Sequence, residues 1–357
     1  MAHVRSRSAG ARTVAVLGAS GYAGSELLRL CAAHPDFDVV VATGERSAGL
    51  PVARHTPSLG AAYPDLVLED HEPSSIAERV DGVDVLFSAL PHGQSQRILP
   101  GLVDRVGAVV DLAADFRLRE PAAYARWYGE EHGCPELLDR FAYGLPELFR
   151  SDLVGARLVA APGCYPTAAS LALAPLVRAG LVGPAGVPVV VDAASGVSGA
   201  GRGAKDDLHF AEVDEDFRAY GLLGHRHTAE MEQTLGMPVL FTPHLAPMVR
   251  GILVTAYARP VAEEPRLTSA ELTEVLRTHY RDEPFVIVGD DPPSTKSTAG
   301  TNLVRLAARA DPRTGWLLVL AAIDNLVKGA AGQAIQCANL VTGLPETTGL
   351  PLAGFYP

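Results

Sequence analysis

The chain has 357 residues, of which 48% are hydrophobic and 20% charged, a balance typical of a globular protein with more than one domain. Its formal net charge of -11 gives it no general attraction for nucleic acid or for anionic membrane surfaces. The sequence has no C-x-x-C pair, no apolar run of about 20 residues and no apolar core of a secretory signal. We therefore expect a soluble cytoplasmic protein with reduced thiols and without a structural metal.

Strands that alternate with helices are predicted for the first part of the chain. Apolar runs rich in β-branched residues occur at Thr13–Leu17, Phe37–Ala42, Val83–Ser88 and Ala108–Leu112, and the amphipathic stretch Ser25–Ala33 separates the first two. This is the spacing of a βαβ unit. We therefore expect a Rossmann-type α/β domain with a parallel sheet and helices on both of its faces.

A glycine-rich loop joins the first predicted strand to the first predicted helix. It reads Gly18-Ala19-Ser20-Gly21-Tyr22-Ala23-Gly24, a G-x-x-G-x-x-G variant of the dinucleotide fingerprint. Glycine allows the backbone to approach a pyrophosphate closely, and the following helix offers free N–H groups to that anion. The predicted cofactor contacts in this loop are Gly18, Ser20, Gly21, Tyr22, Ala23 and Gly24.

Polar residues that follow other strands are expected beside the same ligand, because ligands of open parallel sheets bind outside the carboxyl ends of the strands. After the second strand, Thr43, Arg46 and Ser47 favour the 2′-phosphate of NADP, whereas Glu45 favours the free ribose of NAD. We predict NADP. Later strand ends add two further predicted cofactor contacts, Ser88 and Pro91, and one predicted substrate contact, Arg117.

A cysteine at the boundary between two elements is the predicted nucleophile. Cys164 follows Ala160-Ala161-Pro162-Gly163 and precedes a predicted helix that includes Ala168–Ala179. The positive end of a helix dipole lowers the pKa of a thiol and so favours the reactive thiolate. Cys31 and Cys337 lie on apolar helical faces and fit inert buried thiols better.

Beyond about residue 163 the pattern predicts an α+β domain with a mixed, largely antiparallel sheet. Its predicted strands are Val189–Ala193, Gly251–Arg259 and Trp316–Ala322, with a helix at Ser269–Tyr280.

A dense glycine and serine loop follows the first of these strands. Its hydroxyls, backbone N–H groups and guanidinium suit a phosphate or carboxylate, and the predicted substrate contacts are Ser195, Gly196, Ser198, Gly199 and Arg202.

Two histidines that flank an arginine supply the acid/base candidates for the cysteine. The run Gly224-His225-Arg226-His227 precedes an apparent helix, and alternation along an extended segment would place both rings on one side. Either His225 or His227 fits the role, and His225 is also a predicted substrate contact. A metal site is not expected, because no cysteine or carboxylate ligands lie nearby at a recognisable spacing.

These motifs together resemble the N-acetyl-gamma-glutamyl-phosphate reductase family over nearly the whole chain. The resemblance is carried by the glycine loop and by Leu90–Gly93, Asp111–Arg117, Tyr143–Glu147, Pro162–Thr167, Ser195–Arg202, His225–His227, Pro243–Met248 and Asp324–Ala334. Two positions depart from the family pattern: Asp192-Ala193-Ala194 lacks a lysine before the serine loop, and Gly44-Glu45-Arg46 replaces a Thr-Ser-Arg run.

The resemblance implies a catalytic Cys164, a catalytic histidine that we assign to His227, and Asn325 as the contact to the nicotinamide amide. It also implies that the closing helix, predicted within Asn325–Thr342, returns to the nucleotide domain. The expected domains are then residues 1–163 with 326–357 for NADP binding, and residues 164–325 for catalysis and oligomerisation. A homodimer or homotetramer is expected, and the only other partner expected is a small-molecule substrate.

The function that the sequence predicts is the NADPH-dependent reduction of N-acetylglutamyl 5-phosphate to N-acetylglutamate 5-semialdehyde and phosphate, through a cysteine thioester, in arginine biosynthesis. An aspartate-semialdehyde or aminoadipate-semialdehyde dehydrogenase of the same mechanism is the nearest alternative. A cysteine hydrolase is a more distant one, and the dinucleotide loop argues against it.

Overall fold

The computed structural model describes residues 10–183, 187–262 and 266–356. Its strands are β1 Arg12–Leu17, β2 Phe37–Ala42, β3 Val85–Ser88, β4 Ala108–Asp111, β5 Ala142–Tyr143, β6 Leu158–Ala160, β7 Val189–Gly196, β8 Arg218–Ala219, β9 Val239–Ala246, β10 Ile252–Ala258, β11 Val286–Val288, β12 Val304–Ala310 and β13 Leu317–Ile323. Its α-helices are α1 Tyr22–Ala33, α2 Val52–His55, α3 Pro73–Arg79, α4 Ser95–Ile98, α5 Pro121–Tyr128, α6 Pro146–Leu153, α7 Cys164–Arg178, α8 Phe210–Val213, α9 His227–Leu235, α10 Ser269–His279 and α11 Gly332–Val341.

The chain divides into two compact units. The first comprises Met1–Tyr124, Glu130–Pro162 and Ala330–Leu350, and the second comprises Ala125–Gly129, Gly163–Gly329 and Pro351–Pro357. The division differs from the predicted domains at the C-terminus, because the tail pairs within the second unit: Asn302 donates its N–H to the Pro351 carbonyl at 2.9 Å. In the same unit the Arg226 guanidinium lies 5.2 Å from the centre of the Tyr128 ring, a contact made by the short segment 125–129.

The first unit contains a six-stranded sheet in the order β2-β1-β3-β4-β6-β5. Every pairing between neighbours is parallel, which confirms the predicted Rossmann-type fold. The chain runs outward from β1 to β2 and then returns to the other side of β1 for β3, so the topological switch point lies between β1 and β3. Leu17 and Ser88 are partners in register, and the loops that follow them therefore begin side by side.

The second unit contains a seven-stranded sheet in the order β11-β12-β13-β10-β7-β9-β8. Two pairs, β11/β12 and β7/β9, are parallel, and the other four pairs are antiparallel. This confirms the predicted mixed, largely antiparallel sheet. Burial alternates along β7 and β10, so that one face of the sheet is buried. Helix α7 packs against β10 and β13, and nearly all of its residues are buried.

Several predicted boundaries are displaced. Helix α1 begins at Tyr22, within the glycine loop, because Ser25 N–H already donates to the Gly21 carbonyl. Strand β7 continues to Gly196, so Ser195 and Gly196 belong to a strand rather than to a loop. The predicted closing helix is divided, with a π-helical turn at Val327–Ala331 before α11. Among the described residues, none of the helices has both the length and the hydrophobicity that a bilayer span requires.

Candidate active site

Cys164 is the first residue of α7 and lies half-buried in the second unit. The helix begins here because Gly163 adopts an extended conformation (φ -68°, ψ 156°), after which the Thr167 N–H donates to the Gly163 carbonyl at 2.9 Å. The thiol therefore occupies the positive end of a 15-residue helix, as the sequence predicts. Gly329 packs against the Cys164 side chain, since a Cβ atom added to Gly329 would lie 2.7 Å from the Cys164 Cβ.

The imidazole of His227 lies directly against Gly163, the residue that precedes the nucleophile. A Cβ atom added to Gly163 would stand 2.8 Å from both Cδ2 and Cε1 of His227 and closer still to Nε2. His227 is the first residue of α9, and this helix packs against α7. Two segments that are remote in sequence are thus brought together at Cys164, with a glycine leaving room for the ring.

His225 lies beside His227 but in a different chemical environment. Its Nδ1 accepts the backbone N–H of His227 at 3.2 Å, and its ring centre is 4.8 Å from that of His227. Burial, with a smaller contribution from the Arg226 charge, lowers the pKa of His225 to about 4. The expectation of an extended segment is wrong at this point: the chain turns into a helix at His227, and the turn is what brings the rings together.

Two tyrosines that the sequence analysis did not single out complete the surroundings of the histidines. The hydroxyls of Tyr165 and Tyr220 are 3.1 Å apart, and Tyr165 also donates to the His244 carbonyl at 3.3 Å. Burial is the main cause that raises the pKa of Tyr220 to about 12 and that of Tyr165 further, so both are neutral near pH 7. Tyr165 directly follows Cys164 in the sequence, and this adjacency could have indicated that Tyr165 lies at the site.

Hydrogen bonds within the second unit hold the predicted substrate loop in place. The Ser195 hydroxyl donates to the Gly196 carbonyl at 3.0 Å. Asn325 donates its amide to the Ser198 hydroxyl at 2.9 Å, and its carbonyl oxygen accepts the Gly251 N–H at 2.7 Å. Ser198 and Gly199 lie in a short 3-10 helix, Val197–Ala200, and Arg202 follows it on the surface. The structure thus brings Asn325 to the substrate loop within the second unit.

In the first unit, the glycine loop is shaped by close backbone contacts. A Cβ atom on Gly18 (φ +75°) would lie 2.5 Å from the Ala89 carbonyl oxygen, and one on Gly24 would lie 2.6 Å from the Ala19 Cα. Only glycine fits both positions. The loop leads into the N-terminus of α1, where Ser20, Gly21, Tyr22 and Ala23 lie, and this arrangement fits the pyrophosphate of a dinucleotide.

The predicted cofactor contacts at the other strand ends have different surroundings. Thr43 is fully buried, and its hydroxyl accepts the Gly18 N–H at 3.1 Å, so this side chain supports the loop rather than facing a ribose. Ser88 is also fully buried, and its hydroxyl is 2.8 Å from that of Ser95. The more exposed residues of this set are Arg46, Ser47 and Pro91, and Arg46 and Ser47 share one 3-10 turn.

A buried carboxylate network after β3 and β4 was not foreseen. The Ser95 hydroxyl donates to Asp111 at 2.8 Å, and Asp115 accepts the N–H groups of Gly93 and Gln96 at 2.9 and 3.0 Å. Burial, reinforced by the charge of Asp115, raises the pKa of Asp111 to about 6. Arg117, the predicted substrate contact, is 7% exposed in the first unit and donates to the Leu112 carbonyl at 2.6 Å.

Comparison with known proteins supports the fold. Residues 13–156 match the semialdehyde dehydrogenase NAD binding domain, and residues 164–325 match the semialdehyde dehydrogenase dimerisation domain. Solved aspartate semialdehyde dehydrogenases share this fold. The enzyme from Vibrio cholerae has a TM-score of 0.67 at 17% identity over 93% of this chain and 98% of its own. The enzyme with NADP from Candida albicans has a TM-score of 0.68, also at 17% identity and with the same coverage. The fold class is therefore that of the semialdehyde dehydrogenases.

Curated relatives identify one family within this class. An N-acetyl-gamma-glutamyl-phosphate reductase from Symbiobacterium thermophilum is 49% identical over 96% of this chain and 99% of its own length. Another from Desulforudis audaxviator is also 49% identical with the same coverage, and one from Citrifermentans bemidjiense is 47% identical. The chain belongs to the N-acetyl-gamma-glutamyl-phosphate reductase family.

Proposed function

We propose that the protein catalyses the NADPH-dependent reduction of N-acetylglutamyl 5-phosphate to N-acetylglutamate 5-semialdehyde and phosphate, a step of arginine biosynthesis. The observation that carries this proposal is the packing of the His227 imidazole against Gly163, beside a cysteine at the start of a helix. The names of relatives at 44–49% identity over 96% of the chain support the choice of substrate.

The reaction begins at the sulfur of Cys164. The thiolate attacks the carbonyl carbon of the acyl phosphate, a carbon–sulfur bond forms, and the carbon–oxygen bond to phosphate breaks. The helix dipole of α7 stabilises the thiolate before attack. Backbone N–H groups at the start of α7 stabilise the oxyanion that develops on the carbonyl oxygen. The product of this half-reaction is a thioester on Cys164 and free phosphate.

NADPH, when bound, supplies the hydride that reduces the thioester carbon. The glycine loop holds the dinucleotide through the cradle at Gly18 and Gly24, and the N-terminus of α1 receives the pyrophosphate. Arg46 and Ser47, together on one exposed turn, hold the 2′-phosphate. Asn325 offers its second amide N–H, since within the described part of the chain its amide nitrogen donates to Ser198 alone.

His227 handles the protons. It takes the thiol proton before attack and gives it to the oxyanion that hydride transfer forms. It then takes the proton back from the thiohemiacetal hydroxyl as the carbon–sulfur bond breaks, which releases the aldehyde and the Cys164 thiolate. His225 is unsuited to this work, because a pKa of about 4 makes it a poor base near pH 7. It fixes the backbone at His227 by accepting that residue's N–H. We therefore assign the acid/base role to His227 and a supporting role to His225.

Substrate contacts are proposed for the loop after β7. Ser195 and Gly196 at the end of β7 and Ser198 and Gly199 in the 3-10 helix that follows are the proposed contacts, and Arg202 adds a surface cation for a carboxylate or phosphate. Arg117 is proposed as a further substrate contact, because a guanidinium presents several N–H donors in a geometry that suits the same anions.

We also propose a homodimer, with a homotetramer as the alternative, formed through the partly exposed face of the second sheet. Val190, Tyr257 and Leu318 are neighbours in register on that face, and Leu320 lies on the same face. The match of this unit to a dimerisation domain supports the assignment. Light scattering after gel filtration should give at least twice the chain mass, and Tyr257→Glu should reduce it to one chain.

A cytoplasmic location is proposed as well, since all four cysteines are present as thiols.

The test is the reverse reaction, phosphate-dependent reduction of NADP with the semialdehyde supplied. Wild type is expected to be active with N-acetylglutamate semialdehyde and much less active with aspartate or aminoadipate semialdehyde. Cys164→Ser should abolish the reaction, whereas Cys31→Ser should leave it intact. Turnover that survives Cys164→Ser would refute the thioester mechanism, and a preference for another semialdehyde would refute the proposed substrate.

A further inference from the structure

A buried aspartate follows the last strand of the second sheet. Asp324 comes directly after β13 and is fully buried. Its Oδ1 accepts the backbone N–H groups of Leu326 and Val327 at 2.8 and 3.2 Å. Its Oδ2 accepts the Gly300 N–H at 2.7 Å and a guanidinium N–H of Arg250 at 3.4 Å. The carboxylate therefore joins three segments that are remote from one another in the sequence.

The same residue shapes the π-helical turn that lies against the nucleophile. The backbone carbonyl of Asp324 accepts the Gly329 N–H at 2.9 Å, and a bond between residues five positions apart is the bond of a π turn. Gly329 packs so closely against Cys164 that a Cβ atom has no room there. Asp324 thus holds the first N–H groups of this turn with its carboxylate and a later one with its carbonyl, and so fixes the wall behind the thiol.

Asn325, the proposed nicotinamide contact, is held by the neighbouring set of bonds. Its Oδ1 accepts the Gly251 N–H at 2.7 Å, and its amide donates to the Ser198 hydroxyl at 2.9 Å. Gly251 directly follows Arg250, so two consecutive residues before β10 hold two consecutive residues after β13. A displacement of Asp324 would therefore displace Asn325 with it.

These contacts require a carboxylate rather than an amide. Each oxygen of Asp324 accepts from two donors, so an asparagine in either orientation would turn its NH₂ group towards one of the two pairs. Two N–H groups would then lose their acceptor, which is costly where the site is buried. A buried charge also needs a counter-ion, and the Arg250 guanidinium, 25% exposed, is placed to provide it.

We propose that Asp324 is a positioning residue for the reaction, with Arg250 as its counter-ion. It fixes Asn325 where the nicotinamide binds, and it fixes Gly329 against Cys164. This inference rests on the proposed function, since it assumes that Asn325 contacts the cofactor and that Cys164 is the nucleophile. One anchor then sets both the cofactor contact and the wall behind the reacting sulfur.

Asp311, at the other end of β13, provides a matched control. It directly follows β12, its Oδ1 accepts the Arg313 N–H at 2.9 Å, and its Oδ2 lies 3.7 Å from the Arg313 guanidinium. Asp324→Asn and Asp311→Asn each replace a carboxylate that pairs with a backbone N–H and with an arginine. Only the first substitution lies beside Asn325. A general loosening at the ends of β13 would affect both variants.

The decisive measurement compares the binding of NADPH with that of 2′-phospho-ADP-ribose, which lacks the nicotinamide, by isothermal titration calorimetry. Asp324→Asn should raise the dissociation constant of NADPH about tenfold, the scale of one lost hydrogen bond, and change that of 2′-phospho-ADP-ribose by less than about twofold. Asp311→Asn should change neither. Without cofactor, iodoacetamide should alkylate Cys164 faster in Asp324→Asn than in wild type, because displacement of Gly329 exposes the thiol. Peptide mass spectrometry measures this rate.

Equal losses of affinity for the two ligands would mean that Asp324 does not act through the nicotinamide contact, and they would overturn the proposal. An unchanged alkylation rate overturns it as well, and so do the same two changes in Asp311→Asn. If Asp324→Asn does not fold, Arg250→Met keeps the carboxylate and removes its counter-ion. It should give both changes at a smaller size, and their absence also overturns the proposal. Neither measurement needs turnover, so an inactive wild type in which Asp324→Asn has both effects would refute the proposed function alone.

Discussion

Replacement of Gly163 by alanine is predicted to lower activity chiefly by displacing the His227 ring, with a smaller cost in stability. In Gly163→Ala, the new Cβ would lie 2.8 Å from two atoms of the His227 ring, where contacts below 3.4 Å already require a neighbour to give way. The ring must therefore move by about 0.6–1 Å to restore ordinary van der Waals separation. The backbone is not free to move instead, because the Gly163 N–H is held by Glu230 at 3.0 Å.

A misplacement of about 1 Å at a reacting group costs roughly 100-fold in rate, which corresponds to about 2.7 kcal/mol of transition-state stabilisation. The free energy of unfolding should fall by about 1–3 kcal/mol, the usual cost of a local overpacking. The assay is kcat/KM for phosphate-dependent reduction of NADP, with thermal unfolding measured on the same samples. Gly203→Ala is the control, since a Cβ there meets nothing within 4 Å, and its activity should stay within about twofold.

A double-mutant cycle tests whether the contact between Gly163 and His227 controls the rate. In a His227→Ala background the ring that the new methyl group strikes is gone, so Gly163→Ala should cost little further activity. Full activity of Gly163→Ala, or an equal loss with and without the His227 ring, would show that the contact between Gly163 and His227 does not control the rate.

Buried groups give three further predictions. Thr43→Val removes the hydroxyl that accepts the Gly18 N–H and should weaken NADPH binding about tenfold, with kcat at saturating NADPH unchanged. Fluorescence titration measures the affinity, and an unaltered affinity would contradict the role of Thr43 in supporting the glycine loop. Asp111→Asn should gain stability relative to wild type as pH rises. Burial raises the pKa of Asp111 in the folded protein to about 6 from its ordinary value of 3.8, so wild type loses stability between about pH 4 and 6. The difference in free energy of unfolding should grow by about 3 kcal/mol, measured by urea unfolding at several pH values. Burial raises the pKa of Cys31 to about 12 and is the main cause that raises that of Cys134 to about 11, so iodoacetamide at pH 8 should modify neither in the native protein, as read by peptide mass spectrometry.

Local chemistry explains why much of the nucleotide unit was predictable. Strand–glycine loop–helix is encoded by adjacent residues, and the close backbone contacts at Gly18 and Gly24 are what that pattern implies. Fully buried parallel strands read as apolar runs, so their positions could be found from composition alone. A helix start near Cys164 was also predictable, since Gly163 precedes the thiol and a run rich in alanine and leucine begins at Ala168.

Side-chain roles at the strand ends were less predictable. Thr43 and Ser88 have the right polarity and position for cofactor contacts, yet the structure turns both hydroxyls to neighbouring protein groups. Asn325 is similarly engaged with Ser198 and Gly251. A hydroxyl or amide has the same sequence signature whether it faces a ligand or braces a loop, and only burial and hydrogen-bond partners separate the two uses.

The class of chemistry could be inferred from the amino-acid sequence alone: a thiol at a helix start, a histidine pair and a dinucleotide loop. His225 and His227 remained alternatives at that level, because two positions apart on an extended segment they are equivalent. Folding distinguished their surroundings, because it places His225 half-buried among aromatic rings and His227 against Gly163. It also revealed Glu230, whose contact with Gly163 joins residues remote in sequence. Helix packing creates such contacts, and no periodicity within a single segment encodes them.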